Sequence, residues 1–334
     1  MRKYCIAPFA SPAITPDGFK VCSYPGQKVY DDISFWNSEE IMEMRRTIRE
    51  GGTPESCIEC RKGRDGLVCS ANPDDVRDEY VPLNFKNLFI ARSNKCDMAC
   101  EMCSSTISHT YDKVHGDGSV GVIENNIDLT PYLHETTHAA ISGGNPVLDN
   151  KLLDIIDGLD ADRLRSMFFT SNGSVFPKSF IDSIKRLSKT DISLIFSIDG
   201  PKYVNEVVRE RSRQQRFYDT FQRVMQDVIE HENIFMCIEF TATNKTVSHL
   251  SDLYDEMMFM LSTDELSRVK FIFNVCSSPV HLSAMHLTAE QENSITKQLS
   301  YFEHVLRTAP TELASVMHSR LYDFAERYNE QRIL

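Results

Sequence analysis

From about residue 86 onward the chain alternates short apolar segments with amphipathic ones, and this alternation leaves few folds open. Strand candidates are 87–92, 137–142, 166–171, 192–197, 234–242 and 268–275, each rich in Ile, Phe, Val or Leu. Helix candidates lie between them at 104–114, 148–159, 177–188, 214–231 and 246–261. In the fourth, Phe217, Phe221, Val224, Met225 and Val228 recur at helical spacing. Six strand–helix repeats predict a parallel sheet with right-handed crossovers. Counting strands does not decide whether that sheet closes part-way into a barrel or lies open. After residue 280 the chain reads as all-helical. Thr288-Ala289-Glu290-Gln291 is a capping-box signature, with helices expected near 288–306 and 310–330.

Residues 1–80 have a different character. They are turn-rich and carry cysteines, with one helical stretch from Ser38 to Glu50 and a Pro16-Asp17-Gly18 hairpin turn. The chain has 334 residues and 41% hydrophobic content, enough to bury a core. No apolar run of about 18 residues is present, so no membrane span is expected. No secretory signal opens the sequence, and a cytoplasmic protein is expected. The net charge of −12 opposes nonspecific contact with nucleic acid or anionic membranes. Most arginines of the basic run Arg209 to Arg216 read as a solvated loop and helix start. Ten cysteines without a signal peptide argue for reduced thiols and metal.

Three of those thiols stand in the run Lys95-Cys96-Asp97-Met98-Ala99-Cys100-Glu101-Met102-Cys103, just after the first strand candidate. Cysteines at C-x3-C-x2-C spacing can hold three irons of a cubane and leave the fourth without a protein ligand. An open metal position is where a substrate or cosubstrate binds. A zinc knuckle or a cluster of core thiols is the bland alternative. Zinc, however, more often takes closely paired cysteines and a fourth ligand, and no partner pair follows directly.

The pattern resembles the radical S-adenosylmethionine (SAM) superfamily. The resemblance implies a partial (β/α)6 TIM-like barrel whose open iron takes the amino and carboxylate groups of SAM, with Met102 at the hydrophobic position before the third cysteine. Later strand ends carry further matches. Ser142-Gly143-Gly144-Asn145-Pro146 is similar to the family's Gly-Gly-Glu-Pro motif, whose backbone holds the SAM amino group; here Asn145 stands where the family has Glu. Thr170-Ser171-Asn172-Gly173 is similar to its Thr-Asn-Gly segment. Ser197-Ile198-Asp199-Gly200, followed by Glu206 and Arg209, resembles the segment that lines the SAM pocket. There the resemblance has polar side chains bond the ribose and Arg209 pair with the methionyl carboxylate. Each motif alone reads equally as a turn; their order after successive strands is the signal. Cys237 reads as a core thiol. Cys276, near a strand end, is a candidate hydrogen donor or substrate contact; a buried inert thiol is the commoner case.

A second four-thiol set precedes the barrel: Cys5, Cys22 and the pair Cys57-x2-Cys60. On spacing alone it suits zinc or a fully ligated [4Fe–4S] cluster. Cys5, Gly18, Cys22, Trp36-Asn37-Ser38 and Cys57-x2-Cys60 together resemble a SPASM/Twitch auxiliary-cluster domain, placed before the barrel instead of after it. That resemblance implies one auxiliary [4Fe–4S] cluster, with Cys69 a possible further ligand. The expected organisation is thus a SPASM/Twitch-like domain over 1–80, a radical SAM partial barrel over 86–280 and a helical extension over 281–334. The implied activity is reductive cleavage of SAM to a 5′-deoxyadenosyl radical that abstracts a hydrogen atom. The implied substrate is a peptide, with a sugar or other small metabolite as the alternative, and the electron donor a flavodoxin or ferredoxin. A noncatalytic iron–sulfur or zinc protein is the reading from another class.

Overall fold

The alternation along the chain becomes an eight-stranded, mostly parallel sheet. The computed structural model describes residues 4–24, 27–58, 60, 70–71, 79–83, 85–276 and 279–333. In chain order the strands are β1 (Ala13–Thr15), β2 (Gly18–Lys20), β3 (Asn87–Ile90), β4 (His138–Ile141), β5 (Ser166–Ser171), β6 (Asp191–Ser197), β7 (Ile234–Ala242) and β8 (Val269–Val275). They lie side by side as β8-β7-β6-β5-β4-β3-β1-β2. Every pairing is parallel except the β1–β2 hairpin. From β3 to β8 the spatial order follows the chain without reversal. A doubly wound sheet reverses at its switch point. Here every crossover advances the same way, and with the right hand that such connections take the helices gather on one face, as in a partial barrel.

The helices between strands are α1 (Glu39–Arg49), which lies between β2 and β3, then α2 (His109–His115), α3 (Leu152–Gly158), α4 (Lys178–Lys185), α5 (Lys202–Val208), α6 (Gln214–Val228) and α7 (Leu250–Met260). On the helix-facing side Met167, Phe169, Ile192, Leu194 and Phe196 are fully buried. They meet a stack of rings: Phe169 lies 4.3 Å from Phe180, Phe196 lies 4.9 Å from Phe176 and 5.0 Å from Phe221. On α6, Phe217, Phe221, Val224, Met225 and Val228 are all buried, each contributing about 1.5–3 kcal/mol through lost apolar exposure. Alternate residues of the same strands face the other way. Phe168, Thr170, Ser193, Glu239 and Asn274 remain at least partly exposed on that concave side.

Two boundaries differ from expectation for local reasons. The helix expected at 104–114 begins only at His109, because the Ser108 hydroxyl accepts from Tyr111 N at 3.1 Å and caps α2 there. The sheet also runs across the division expected between 80 and 86. β1 pairs in parallel with β3, with Ala13 opposite Phe89 and Ile14 opposite Ile90. Fully buried Trp36 packs edge-on against Phe85 at 5.1 Å, so this junction is core. At the far end α8 (Ala289–Thr308) starts with the Thr288/Gln291 capping box, and α9 (Glu312–Ile333) brings Phe324 to Phe273 of β8. No helix among the described residues is long and apolar enough to cross a membrane.

Candidate functional site

The cysteine run follows the C-terminal end of β3 and is stapled from the opposite side. Ala99–Cys100 pairs antiparallel with Arg209–Glu210, placing Cys100 opposite Arg209. Glu101 N donates to Val208 O at 2.9 Å in the same seam. Loop polar groups are spent locally: Thr110 Oγ1 donates to Cys96 O at 2.6 Å and Ser108 Oγ to Met98 O at 2.7 Å. Cys96 and Cys100 are 5% and 3% exposed, and they pack with Met98, Met102 and the half-buried Cys103. Met102 is half-buried against these thiols.

Two nitrogen donors face the sulfurs. Asn172 Nδ2 lies 3.8 Å from Cys96 Sγ and Arg209 Nη1 lies 3.8 Å from Cys100 Sγ. Burial pushes the Cys96 thiol up to about 11. The Cys103 thiol bonds to Cys100, and with the Arg209 charge this draws Cys100 below the usual thiol value despite its burial. Cys103, giving that bond, is held above it. Burial opposes the charge on Arg209, but Asp199 and the Cys100 sulfur outweigh it and hold the guanidinium above its ordinary value. Among the described residues no three His, Cys, Asp or Glu side chains converge on a single-ion site. A cubane asks for something else: each thiolate holds its own iron, and hydrogen bonds to sulfur tune the cluster. Three thiols on one loop, with an amide and a guanidinium against two of them, fit that requirement.

The Gly143-Gly144-Asn145 turn passes directly beneath the start of this loop. Gly144 N donates to Ser93 O at 3.1 Å and Asn145 N to Lys95 O at 2.7 Å. Gly143 has φ +121°, and a Cβ there would meet Ser93 O at 2.8 Å. A Cβ on Gly144 would run into the Lys95 carbonyl. These two amides thus support the cysteine loop. Asn145, 1% exposed, is the hub beside it. Its Nδ2 donates to Asn172 Oδ1 at 2.9 Å, to Ser174 Oγ at 3.2 Å and to Asp97 Oδ1 at 3.4 Å, while its Oδ1 accepts from Ser171 Oγ at 3.0 Å. Asn172 also donates to Asp97, at 2.7 Å. A glutamate at 145 would set a second carboxylate against Asp97; the amide donates to it instead.

Across the site, Arg209 Nε donates to Asp199 Oδ2 at 2.6 Å. Asp199 is fully buried and also accepts from Thr241 N at 2.7 Å, while Asn205 Oδ1 accepts from Asp199 N at 2.8 Å. Asn205 passes the network to Gln214 at 2.6 Å, and Gln214 to Glu256 at 2.8 Å. Ser197 Oγ donates to Glu239 Oε2 at 3.1 Å on the concave face. Between the cysteine loop and this network lies a cavity of about 260 Å³. Asp97, Met98, Asn172, Ser197 and Arg209, buried or half-buried, line it on one side, and the exposed Arg211, Arg213 and Arg216 border it where it meets solvent. Arg211 alone of the described non-glycine residues has positive φ, at 72°, a strained conformation worth about 1–2 kcal/mol.

Of the residues singled out by sequence, Cys96, Cys100, Cys103, Asn145, Ser171, Asn172, Ser197, Asp199 and Arg209 gather here. Pro146 is buried and opens a 3-10 turn, Pro146–Leu148. Cys276 is buried elsewhere: its N–H donates to Ala242 O at 2.8 Å, its carbonyl accepts from Ala284 N at 3.1 Å, and it does not line the cavity. Cys5, Cys22, Cys57 and Cys60 are each half-buried and in no disulfide, and burial pushes the Cys57 thiol up. Cys69 lies outside the described residues. The arginines read as solvated turn out to border the cavity, because the Arg209–Cys100 pairing turns their loop toward the cysteine run. Asp97 was hidden inside the cysteine motif itself. Ser174 and Phe217 carried only turn and core signals.

Parallel strands in chain order with a three-cysteine loop at their C-terminal ends define the class: a barrel-like α/β chain with three thiols beside a polar cavity. No protein-family model matches the chain, and a search of curated proteins finds no match. Some solved structures are similar. Native anSMEcpe with bound AdoMet and Cp18Cys peptide is 15% identical, over 65% of this chain and 59% of its own, with a TM-score of 0.41. Streptococcus suis SuiB is 11% identical, over 90% of this chain and 69% of its own, with a TM-score of 0.42. The radical S-adenosylmethionine methyltransferase TsrM from Kitasatospora setae, with cobalamin and [4Fe-4S] cluster bound, is 13% identical, over 63% and 37%, at 0.39. The match spans less than two thirds of the anSMEcpe chain. At such identities and superpositions no activity transfers, and function must come from this chain's own residues.

Proposed function

We propose that this chain is a radical SAM enzyme that cleaves S-adenosylmethionine reductively and abstracts a hydrogen atom from its substrate. One observation carries the proposal. The Cys96/Cys100/Cys103 loop follows a strand of an in-order parallel sheet and borders a cavity lined from the ends of β5 and β6. That end of such a sheet is where barrels place chemistry. The three cysteines would hold a [4Fe–4S] cluster with one open iron. Bound together, reduced cluster and SAM supply a 5′-deoxyadenosyl radical, chemistry that belongs to the cofactor.

The protein's part is binding, charge and exclusion of water. Arg209, fixed by buried Asp199, favours the Cys100 thiolate. Asn172 offers an N–H to the Cys96 sulfur and holds Asp97 in place. Ser197 and Asn172 present polar groups to the cavity, suited to ribose hydroxyls, and Asp97 suits a cationic group. Gly143, Gly144 and Pro146 hold the turn under the cysteine loop. Cys5, Cys22, Cys57 and Cys60 belong to this reading as ligands of an auxiliary [4Fe–4S] cluster, with zinc the rival. The substrate is read as a peptide, a small metabolite being the alternative, with electrons from a flavodoxin or ferredoxin. Anaerobic reconstitution, iron and sulfide analysis, and an assay for 5′-deoxyadenosine with SAM and dithionite test the proposal. Zinc in place of iron at the triad, or no deoxyadenosine from iron-loaded protein, overturns it.

A further inference from the structure

We infer that the cavity receives a substrate bearing a carboxylate or phosphate group, held by Arg211, Arg213 and Arg216 at its outer end; the inference deepens the radical SAM reading and rests on it. The chain carries a net charge of −12, yet four arginines border this one cavity against a single acid, Asp97. The inner charges are already answered. Arg209 is paired with Asp199, and Asp97 accepts from Asn172 and Asn145. The outer three are exposed, and among the described residues none of their guanidiniums donates a hydrogen bond or forms an ion pair.

Nearby acids do not answer them. Glu206 accepts from Gln214 N at 2.8 Å, Glu210 lies 3.2 Å from His115, and Asp219 accepts from Gln215 at 2.9 Å. Elsewhere in the chain arginines are commonly paired, as Arg46 and Arg49 are with Glu79, Arg92 with Asp149 and Arg186 with Asp157. Three unanswered guanidiniums within six residues, beside a cavity, match the planar bidentate recognition of carboxylate or phosphate. Arg211 keeps a left-handed backbone in this segment. Strain of that kind persists where the surrounding structure requires a particular orientation. Low-dielectric walls around like charges also focus the field on an incoming anion.

SAM itself carries a carboxylate, so the test must separate the two sources. Saturation-transfer NMR would be recorded on iron-loaded protein saturated with SAM, with phenyl phosphate and benzoate as separate probes. At least one probe should bind, and the one preferred names the phosphate or the carboxylate. The R213Q/R216Q variant should weaken that binding at least tenfold, and R213K/R216K should restore part of it. R216Q alone, on the exposed start of α6, should show a smaller loss and guards against misfolding of the double variant. Probe binding to SAM-free protein that is lost once SAM saturates it would overturn the inference, since the arginines would then serve the cofactor's own carboxylate. Equal binding by wild type and R213Q/R216Q would overturn it as well. Deoxyadenosine measured in the same samples keeps the parent reading separate. Deoxyadenosine without probe binding ends this inference and leaves the enzyme reading intact. Probe binding without deoxyadenosine leaves an anion site that is no radical SAM substrate site, and so overturns it too.

Discussion

The triad at Cys96, Cys100 and Cys103 and the N-terminal set at Cys5, Cys22, Cys57 and Cys60 use the same residue on very different supports. The triad sits where a sheet end, the Arg209–Glu210 pairing and a buried amide–carboxylate network converge. Its loop is held by backbone and side-chain bonds before any metal enters. Of the N-terminal thiols, Cys5 sits on a two-residue strand, Tyr4–Cys5, and Cys57 ends a 3-10 turn, Glu55–Cys57; all four are partly exposed. A site of the first kind is preorganised by tertiary structure. On the proposed reading, a site of the second kind would lean on its metal for order, as small metal-dependent domains do.

The largest effect should come from the thiols. Any of C96A, C100A or C103A should reduce 5′-deoxyadenosine formation by about 10³-fold or more, since the chemistry is supplied only through the bound group. C57A should cost an order of magnitude less and remove only part of the iron. Equal losses from both sets would break the comparison. Metal removal should divide them differently. Hydrogen exchange after anaerobic chelation should accelerate around Cys57 and Cys60 more than around Cys96–Cys103, which keeps its backbone bonds. Uniform acceleration would show that the triad loop also depends on metal.

Effects on the protein fabric should follow in order of burial. R209Q leaves fully buried Asp199 without its cation and should lower stability by about 3–5 kcal/mol, read from urea unfolding of the apoprotein. It should also slow iron loading, because Cys100 loses its charge partner. G144A should cost about 1–3 kcal/mol, as its Cβ must displace the Lys95 carbonyl and with it the cysteine loop. N145D would oppose Asp97 and lose the bond to Asn172, costing about 1–3 kcal/mol through unsatisfied buried groups. The smallest change should be R211G, which relieves the positive φ and should raise stability by about 1 kcal/mol while weakening anion binding.

Much of this was legible before folding. β-rich segments alternating with helices announce a parallel sheet because each strand must be covered by the helix that follows it. The structure sets β4 to β8 within a residue or two of where periodicity puts them. Short elements escaped. α5 has seven residues, too few for its Val204 and Val208 to establish a period. The β1–β3 pairing joins segments more than seventy residues apart, and local pattern carries no trace of such a contact.

For the site, spacing alone identified the three thiols, since a cysteine run is a local constraint that survives without a fold. The glycines and Asn145 were legible as a motif, but their task was not. Only the packed chain shows two amides supporting the cysteine loop and an amide side chain holding Asp97. The basic run is the sharpest case. Arg211, Arg213 and Arg216 look like any solvated helix start until Arg209 pairs with Cys100 and turns their loop to the cavity. Sequence determined which groups can bind metal, because ligand chemistry belongs to single side chains. Tertiary structure decided which charges remain unanswered, because that depends on what every distant residue has already taken.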